Sequence, residues 1–241
     1  MTRTNLSIIL PTYNESENIK RLIPELKREF QGAEIIVVDD NSPDGTSEIA
    51  ENLGARVILR RDRKGLGAAL RDGYNYASKE MIVSMDADCS LSVKDIYRLL
   101  DKLKTNDLVV GSKYSRNSRA EGFASRKQKV LSYLGNRFFI VLFRLPVEDV
   151  TLNFRAFNKR TWTRLNLQEN SNVFLLEMLI QAKSRNMRIF QIPIVFSKRF
   201  YGKSKTNLRK LFPQYLKFLI KISTQRFLFV LSKQFSWKIK T

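Results

Sequence analysis

Met81-Ile82-Val83-Ser84-Met85-Asp86-Ala87-Asp88 is the stretch from which the rest of this chain is read. Its first five residues form an apolar run interrupted only by Ser84, the pattern of a short buried strand. Two carboxylates then follow one residue apart, where that strand ends. In open α/β sheets the crevice outside the carboxyl ends of the strands is where ligands bind. Hard oxygen ligands there suit Mg²⁺ or Mn²⁺, with substrate phosphates completing the shell. An isolated Asp-x-Asp is more often a solvated turn, so its meaning depends on what else reaches the same edge.

Upstream, apolar runs alternate with helical patterns, as in βαβ units with a largely parallel sheet. Strands are expected at Leu6–Leu10, Glu34–Val38 and Arg56–Leu59, and helices at Glu17–Phe30, Thr46–Leu53 and Leu66–Ala77. Downstream, Ser92–Leu103 reads as a helix and Asp107–Gly111 as a strand. The polar segment Tyr114–Arg126 reads as a mobile loop, Lys127–Leu145 and Phe174–Ser184 as helices, and Arg188–Val195 as a strand interrupted by Pro193.

Each early strand leads into a polar or glycine-rich segment. These are Pro11-Thr12-Tyr13-Asn14-Glu15, Asp39-Asp40-Asn41-Ser42-Pro43-Asp44-Gly45, Arg63-Lys64-Gly65-Leu66-Gly67, and the opening Asp86-Ala87-Asp88. In a parallel sheet all four share one edge. Each alone has a dull account in turn or capping chemistry; together they describe a site. Asp40 suits a base or ribose, Tyr13 and Pro11 offer a face for a base, and Asp88, with Asp86 through water, suits a divalent metal across a diphosphate. Such a metal neutralises charge on a departing diphosphate. The spacing fits neither a P-loop nor a dinucleotide fingerprint.

The composition narrows the chemistry. The 241 residues contain no histidine, so any general base is Asp or Glu, or the reaction needs none. The single Cys89 excludes an internal disulfide and reads as a small buried apolar residue. The net charge is +20, and residues 178–241 carry 15 Lys or Arg with no Asp or Glu. That asymmetry calls for an anionic partner: nucleic acid, an acidic membrane or a phosphorylated substrate. The acidic edge at Asp39, Asp40, Asp86 and Asp88 would repel nucleic acid, which is therefore not expected. From Asn207 on, Leu208, Leu211, Phe212, Tyr215, Leu219 and Ile222 recur at helical spacing with lysines and arginines off the stripe. No uncharged run reaches the roughly 18–20 residues of a membrane span. The tail at 206–241 is read as basic, amphipathic and interfacial, the alternative being a stripe packed on the protein's own core. Residues 1–205 are read as the main domain. Its start enters a strand directly, so no leader is expected, and a cytoplasmic protein peripheral to the cytosolic face of a membrane is.

In this order, Pro11–Glu15, Asp39–Asp44, Lys64–Gly67 and Asp86–Asp88 resemble the family-2 glycosyltransferases of GT-A fold. Within them the chain is most similar to polyprenyl-phosphate glycosyltransferases of the dolichyl-phosphate mannosyltransferase kind. Gly111-Ser112-Lys113-Tyr114, Asp149–Arg155 and Arg199–Lys205 extend the match. The resemblance implies an α/β GT-A fold and inverting, metal-dependent transfer, with Mg²⁺ or Mn²⁺, of a sugar from a nucleotide-sugar, GDP-mannose being favoured, to a polyprenyl phosphate. It implies nucleotide contacts at Pro11, Tyr13, Glu15, Val38 and Asp40. Lys64, Asp86, Ala87 and Asp88 would line the diphosphate and metal, while Lys113, Arg199 and Lys205 would face phosphates. Asp149 matches an acidic position near the reacting centre, so Asp88, Asp149, Lys113 and Arg199 are the catalytic candidates. Arg126 or Lys129 would meet the acceptor phosphate beside Lys113 and Arg199.

A phosphate monoester is already anionic near neutral pH and attacks without a base, whereas a glycan hydroxyl would need one, for which Asp149 or Glu148 is available. The chain departs from the resemblance at Lys113, where Arg is usual, at Ser90, where an amide often follows the metal-site Asp, at Leu152-Asn153, where two small residues are usual, and at Gln191, where an acid usually precedes Ile-Pro. Lys keeps the charge of Arg but loses its bidentate fork.

Overall fold

The computed structural model describes residues 5–62, 65–123, 125–202 and 211–224. Seven strands form one sheet: β1 (Leu6–Thr12), β2 (Glu34–Asp39), β3 (Arg56–Leu59), β4 (Met81–Met85), β5 (Leu108–Ser112), β7 (Phe154–Asn158) and β8 (Ile189–Pro193). Two short strands, β6 (Arg119–Ala120) and β9 (Val195–Phe196), pair separately. The order across the large sheet is β3-β2-β1-β4-β7-β5-β8. The pairs β3–β2, β2–β1, β1–β4 and β5–β8 are parallel, and β7 runs antiparallel to both of its neighbours, β4 and β5. The α/β fold expected from the sequence is present. The largely parallel sheet is correct apart from β7, which the apolar pattern had not revealed.

The helices are α1 (Ser16–Glu29), α2 (Thr46–Asn52), α3 (Leu66–Tyr76), α4 (Asp95–Leu103), α5 (Arg126–Phe143), α6 (Lys159–Thr163) and α7 (Val173–Ser184). Alternation along β1 sends Leu6, Ile8 and Leu10 into one cluster with Ile19, Leu22, Ile23 and Leu26 of α1 and Ile96 and Leu99 of α4. Each of these side chains, fully buried, contributes roughly 1.5–3 kcal/mol of transfer free energy. Ile9 and Val38 lie on the other side, against α3 at Gly73. Val38, expected among the nucleotide contacts, has a fully buried side chain, so only its backbone is available to a ligand.

The segment expected to be a loop, Tyr114–Arg126, contains β6, anchored where Arg119 N donates to Ile194 O at 3.1 Å and Glu121 N to Phe196 O at 2.8 Å. Ser125 then caps α5, its hydroxyl accepting from Gln128 N at 3.1 Å. Along α5 only Asn136, Phe139 and Ile140 are buried. Val130, Leu131, Leu134, Phe138, Val141 and Leu142 are each 50–61% exposed. Residues 211–224 form a helix of their own, with Phe212, Leu216 and Ile220 exposed at four-residue spacing. Among the described residues no helix is long and apolar enough to cross a membrane. Most of the tail read as 206–241 lies outside the described residues.

Candidate active site

The loops that follow β1, β2 and β4 are fastened to one another by buried polar groups. Asp39 is fully buried and accepts from Thr12 Oγ1 at 2.8 Å, Ser42 N at 2.8 Å and Ser42 Oγ at 2.5 Å. It shapes the turn rather than facing ligand. Asn14 N donates to Ser42 Oγ at 2.8 Å and Glu15 N to Thr46 Oγ1 at 3.0 Å, which ties the end of β1 to the start of α2. Tyr13 is left exposed beside them. Asp40 is bound by the Arg60 guanidinium and accepts from Gly65 N at 2.8 Å. This carboxylate thus draws the chain after β3 towards the end of β2.

Gly65, at φ 126°, and Gly67 explain the glycines of that chain. A Cβ on Gly67 would stand 2.6 Å from both Glu169 O and Phe174 Cβ, and one on Gly65 2.5 Å from Asn170 O. The loop before α7 that crowds them is held by Glu177, which accepts from Gln168 N and Glu169 N, and by Arg71, whose Nε donates to Leu167 O at 3.1 Å. Lys64 and Lys205, expected on the diphosphate, lie outside the described residues.

At the end of β4, Ala87 packs into the core between its two acidic neighbours. Asp88 Oδ1 accepts from Ser90 N at 3.0 Å and Ser90 Oγ at 2.5 Å. Its Oδ2 lies 3.0 Å from Arg199 Nη2. Arg199 Nη1 donates to Glu15 Oε1 at 2.9 Å, so one guanidinium spans the ends of β1 and β4. The segment that carries it is pinned by Ser197 N to Ser90 O at 2.9 Å, Phe200 N to Asp88 O at 3.1 Å and Tyr201 N to Asn18 Oδ1 at 3.0 Å. Asp86 accepts from Asn153 Nδ2 at 3.2 Å. Burial, and then the charge of Asp88, push its carboxyl up to about 7. Two crowded, desolvated carboxylates fit a hard divalent cation, whose charge would relieve both effects. Among the described residues no group of three or more His, Cys, Asp or Glu could hold a metal, so Asp86 and Asp88 would need substrate oxygens to complete a shell. Cys89, next after Asp88, has its thiol pushed up to about 11 by burial, as suits an inert residue.

The other side of the site is built on β7. Lys113, 7% exposed, donates from Nζ to Asp149 Oδ2 at 2.8 Å and to Thr151 Oγ1 at 3.2 Å. Asp149, 1% exposed, also accepts from Lys113 N at 3.3 Å, Thr151 N at 2.9 Å, Thr151 Oγ1 at 3.0 Å and Leu152 N at 3.2 Å. Five donors fill the lone pairs of one carboxylate. The ammonium expected to face phosphate is here neutralised by the acid expected near the reacting centre. Asn136 links this loop to α5, accepting from Val150 N at 2.7 Å, and the fully buried Arg155 donates to the carbonyls of Val150, Leu152 and Leu175. Arg126 and Lys129 are exposed on the first turns of α5.

The structure brings Pro11, Tyr13, Glu15, Asp40, Asp86, Asp88 and Arg199 to the ends of β1, β2 and β4, and pairs Lys113 with Asp149 beside them. Arg60, Asn18, Asn136 and Arg155 were given no role from the sequence, and Asn153 was noted only as a departure from the resemblance. Arg155 carried a signal, a cation between Phe154 and Ala156 in an otherwise apolar run; Asn18 and Asn136 carried none. A surface cavity of about 570 Å³ lined by Arg71, Tyr74, Lys159 and Trp162 shares no residue with this edge.

The architecture matches solved structures of glucosyl-3-phosphoglycerate synthase from Mycobacterium tuberculosis. One, in complex with Mn²⁺, uridine diphosphate and glucosyl-3-phosphoglycerate, aligns with a TM-score of 0.65 over 86% of this chain and 74% of that one, at 21% identity. Another, with Mn²⁺, uridine diphosphate and phosphoglyceric acid, aligns with a TM-score of 0.68 over 86% of this chain and 73% of that one, also at 21% identity. That likeness defines the GT-A class of fold. Residues 7–169 match the family described as "Glycosyl transferase family 2", and the chain belongs to that family. The chain is 30% identical over 219 residues to polyprenol monophosphomannose synthase of Mycolicibacterium smegmatis, covering 84% of this chain and 82% of that protein. It is 30% identical to undecaprenyl-phosphate mannosyltransferase of Micrococcus luteus, over 82% and 85% of the two chains. It is 30% identical to dolichol-phosphate mannosyltransferase of Pyrococcus furiosus, over 90% of this chain and 63% of that one.

Proposed function

We propose that this glycosyltransferase moves a mannosyl group from GDP-mannose to a polyprenyl phosphate, with inversion, at the cytosolic face of a membrane. The observation that carries the reading is the pair Asp86 and Asp88 at the end of β4, with Arg199 held across Asp88 and Glu15, in a chain similar to three lipid-phosphate mannosyltransferases. Asp86 and Asp88 would hold a Mg²⁺ or Mn²⁺ ion, which supplies neutralisation of the negative charge left on the departing diphosphate. Tyr13 offers its exposed ring to the base, and Asp40, fixed by Arg60, forms the polar end of the nucleotide site. Lys64 and Lys205 belong to the same proposal as diphosphate contacts.

Arg199 guides the phosphates, exchanging part of its bond to Asp88 for the ligand. An oxygen of the acceptor phosphate attacks the anomeric carbon as the bond from that carbon to the diphosphate oxygen breaks, giving polyprenyl phosphomannose and GDP. No proton has to be removed from such an acceptor, which suits a site whose Asp149 is already saturated with donors and whose chain has no histidine. Arg126 and Lys129 form the cationic side facing the acceptor, while Lys113, its charge matched by Asp149, anchors the loop at 149–152. The exposed apolar residues of α5, among Arg126, Lys127, Lys129 and Arg137 with no acid on the helix, suit a membrane interface. The basic segment at 206–241 is assigned the same task.

The test is incubation with polyprenyl phosphate, Mg²⁺ or Mn²⁺ and a panel of labelled nucleotide-sugars, followed by extraction into organic solvent. Label from GDP-mannose in the lipid phase is expected. Lipid-linked label from UDP-glucose alone would replace the donor, and its absence with every donor would overturn the reading.

A further inference from the structure

We propose that Asn153 is a positioning residue for Asp86. Its amide holds one oxygen of that carboxylate and leaves the other as the group a divalent cation takes. The inference rests on the glycosyltransferase reading above and adds to it a residue on which metal uptake depends.

Strand register places the two side chains together. β4 and β7 are antiparallel with Met85 opposite Phe154, so Asp86, the next residue of one strand, comes opposite Asn153, the preceding residue of the other. Their contact is the hydrogen bond from Asn153 Nδ2 to Asp86 Oδ1 at 3.2 Å. Among the described residues, no other hydrogen bond to the Asp86 carboxylate is found. By contrast, both oxygens of Asp88 already have partners, Ser90 and Arg199. Asn153 thus does for Asp86 what Ser90 does for Asp88: a neutral donor fixes the carboxylate without cancelling its charge.

The orientation of the amide is set by this bond. Asn153 is 1% exposed, and its Oδ1 is buried without a hydrogen-bond partner. A reversed amide would set Oδ1 against a carboxylate oxygen, acceptor facing acceptor. An unsatisfied buried carbonyl is costly, so the side chain keeps this orientation only because Nδ2 has a demanding acceptor. The backbone leaves no freedom to escape. Leu152 N donates to Asp149 Oδ1 at 3.2 Å, Leu152 O accepts from Arg155 Nε at 3.2 Å, and Phe154 is fully buried in β7. Groups that orient a metal ligand in this way typically change metal affinity 10–100-fold when removed.

The test is a double-mutant cycle read by Mn²⁺ binding rather than by turnover. Free and bound Mn²⁺ are measured by electron paramagnetic resonance on the full chain with GDP present, for wild type, Asn153→Ala, Asp86→Ala and the double variant. Asn153→Ser, with a shorter donor, is the second variant, and thermal melts establish that each is folded. Expected are a loss of Mn²⁺ affinity of about tenfold or more in Asn153→Ala, a smaller loss in Asn153→Ser, and no further loss when Asn153→Ala is added to Asp86→Ala. Wild-type affinity in both Asn153 variants, or an equal loss with and without Asp86, overturns the inference while leaving the glycosyltransferase reading intact. A wild-type chain that binds neither Mn²⁺ with GDP nor any nucleotide-sugar overturns that reading, and this inference with it.

Discussion

Replacing Asp149 by Asn decides between an anchor and a base. The Asp149 and Lys113 side chains are 0% and 6% exposed, and their charged atoms stand 2.8 Å apart. Removing one member of a buried pair leaves the other charge uncompensated, at a cost of about 3–5 kcal/mol. The amide oxygen of Asn can keep the donors from Thr151 and Leu152, but its NH₂ would then face the Lys113 ammonium and backbone N–H, donor against donor. The lower end, about 3 kcal/mol, is therefore expected, which corresponds to a fall of roughly 6–12 °C in melting temperature for a chain of this size. Urea denaturation of wild type, Asp149→Asn, Lys113→Met and the double variant measures it, and the double variant should recover part of the loss because no unpaired charge remains. A folded Asp149→Asn with the wild-type urea midpoint and abolished turnover would refute this, and would make Asp149 a base acting on substrate.

Three further outcomes are expected. With the Asp86 carboxyl raised from 3.8 to about 7, its contribution to the stability of the metal-free protein is complete in acid and is lost as pH rises towards 7. Mn²⁺ uptake, which needs the carboxylate, strengthens over the same window by up to about tenfold per pH unit; titrations at pH 6, 7 and 8 should show this, and Asp86→Asn should flatten it. Gly67→Ala, whose new Cβ meets Glu169 O and Phe174 Cβ at 2.6 Å, should lower stability by about 1–3 kcal/mol in urea melts; an unchanged midpoint would mean that the loop before α7 yields freely. Leu134→Glu with Leu142→Glu on α5 should reduce co-sedimentation with anionic vesicles by about a hundredfold or more, given roughly 1.5–3 kcal/mol for each leucine buried; unchanged sedimentation would remove α5 from the membrane contact.

The first five strands were legible because each is a run of apolar residues closed by a polar loop, and the four loops named the sheet edge. β7 was hidden for a physical reason. Phe154-Arg155-Ala156-Phe157-Asn158 carries a charge in its centre, and Arg155 is tolerated at 0% exposure only because three backbone carbonyls receive its guanidinium. Two of those carbonyls, of Val150 and Leu152, lie within five residues, but the third, of Leu175, is twenty residues on, in α7. The same limit applied to the site. Asp86 and Asp88 announced themselves by spacing, whereas the capture of Lys113 by Asp149 across 36 residues and the placing of Asn153 on Asp86 across 67 are products of long-range register. Ser90, which stands where an amide is usual, donates to Asp88 through both its N–H and its hydroxyl.

The reversed direction of β7 has a consequence for how such an enzyme diversifies. β1, β2, β3 and β4 bring their outgoing loops to the ligand edge, each followed by a helix whose packing constrains it. β7 alone brings an incoming segment, residues 149–153, which precedes its strand. That segment is fastened mainly by side chains, Asn136, Asp149 and Arg155, and not by a helix of its own. Its length and sequence can therefore be exchanged while the half of the site built on β1, β2 and β3 stays in place. Swapping residues 145–153 between relatives would be the economical way to retune what the enzyme transfers without relearning which nucleotide it holds.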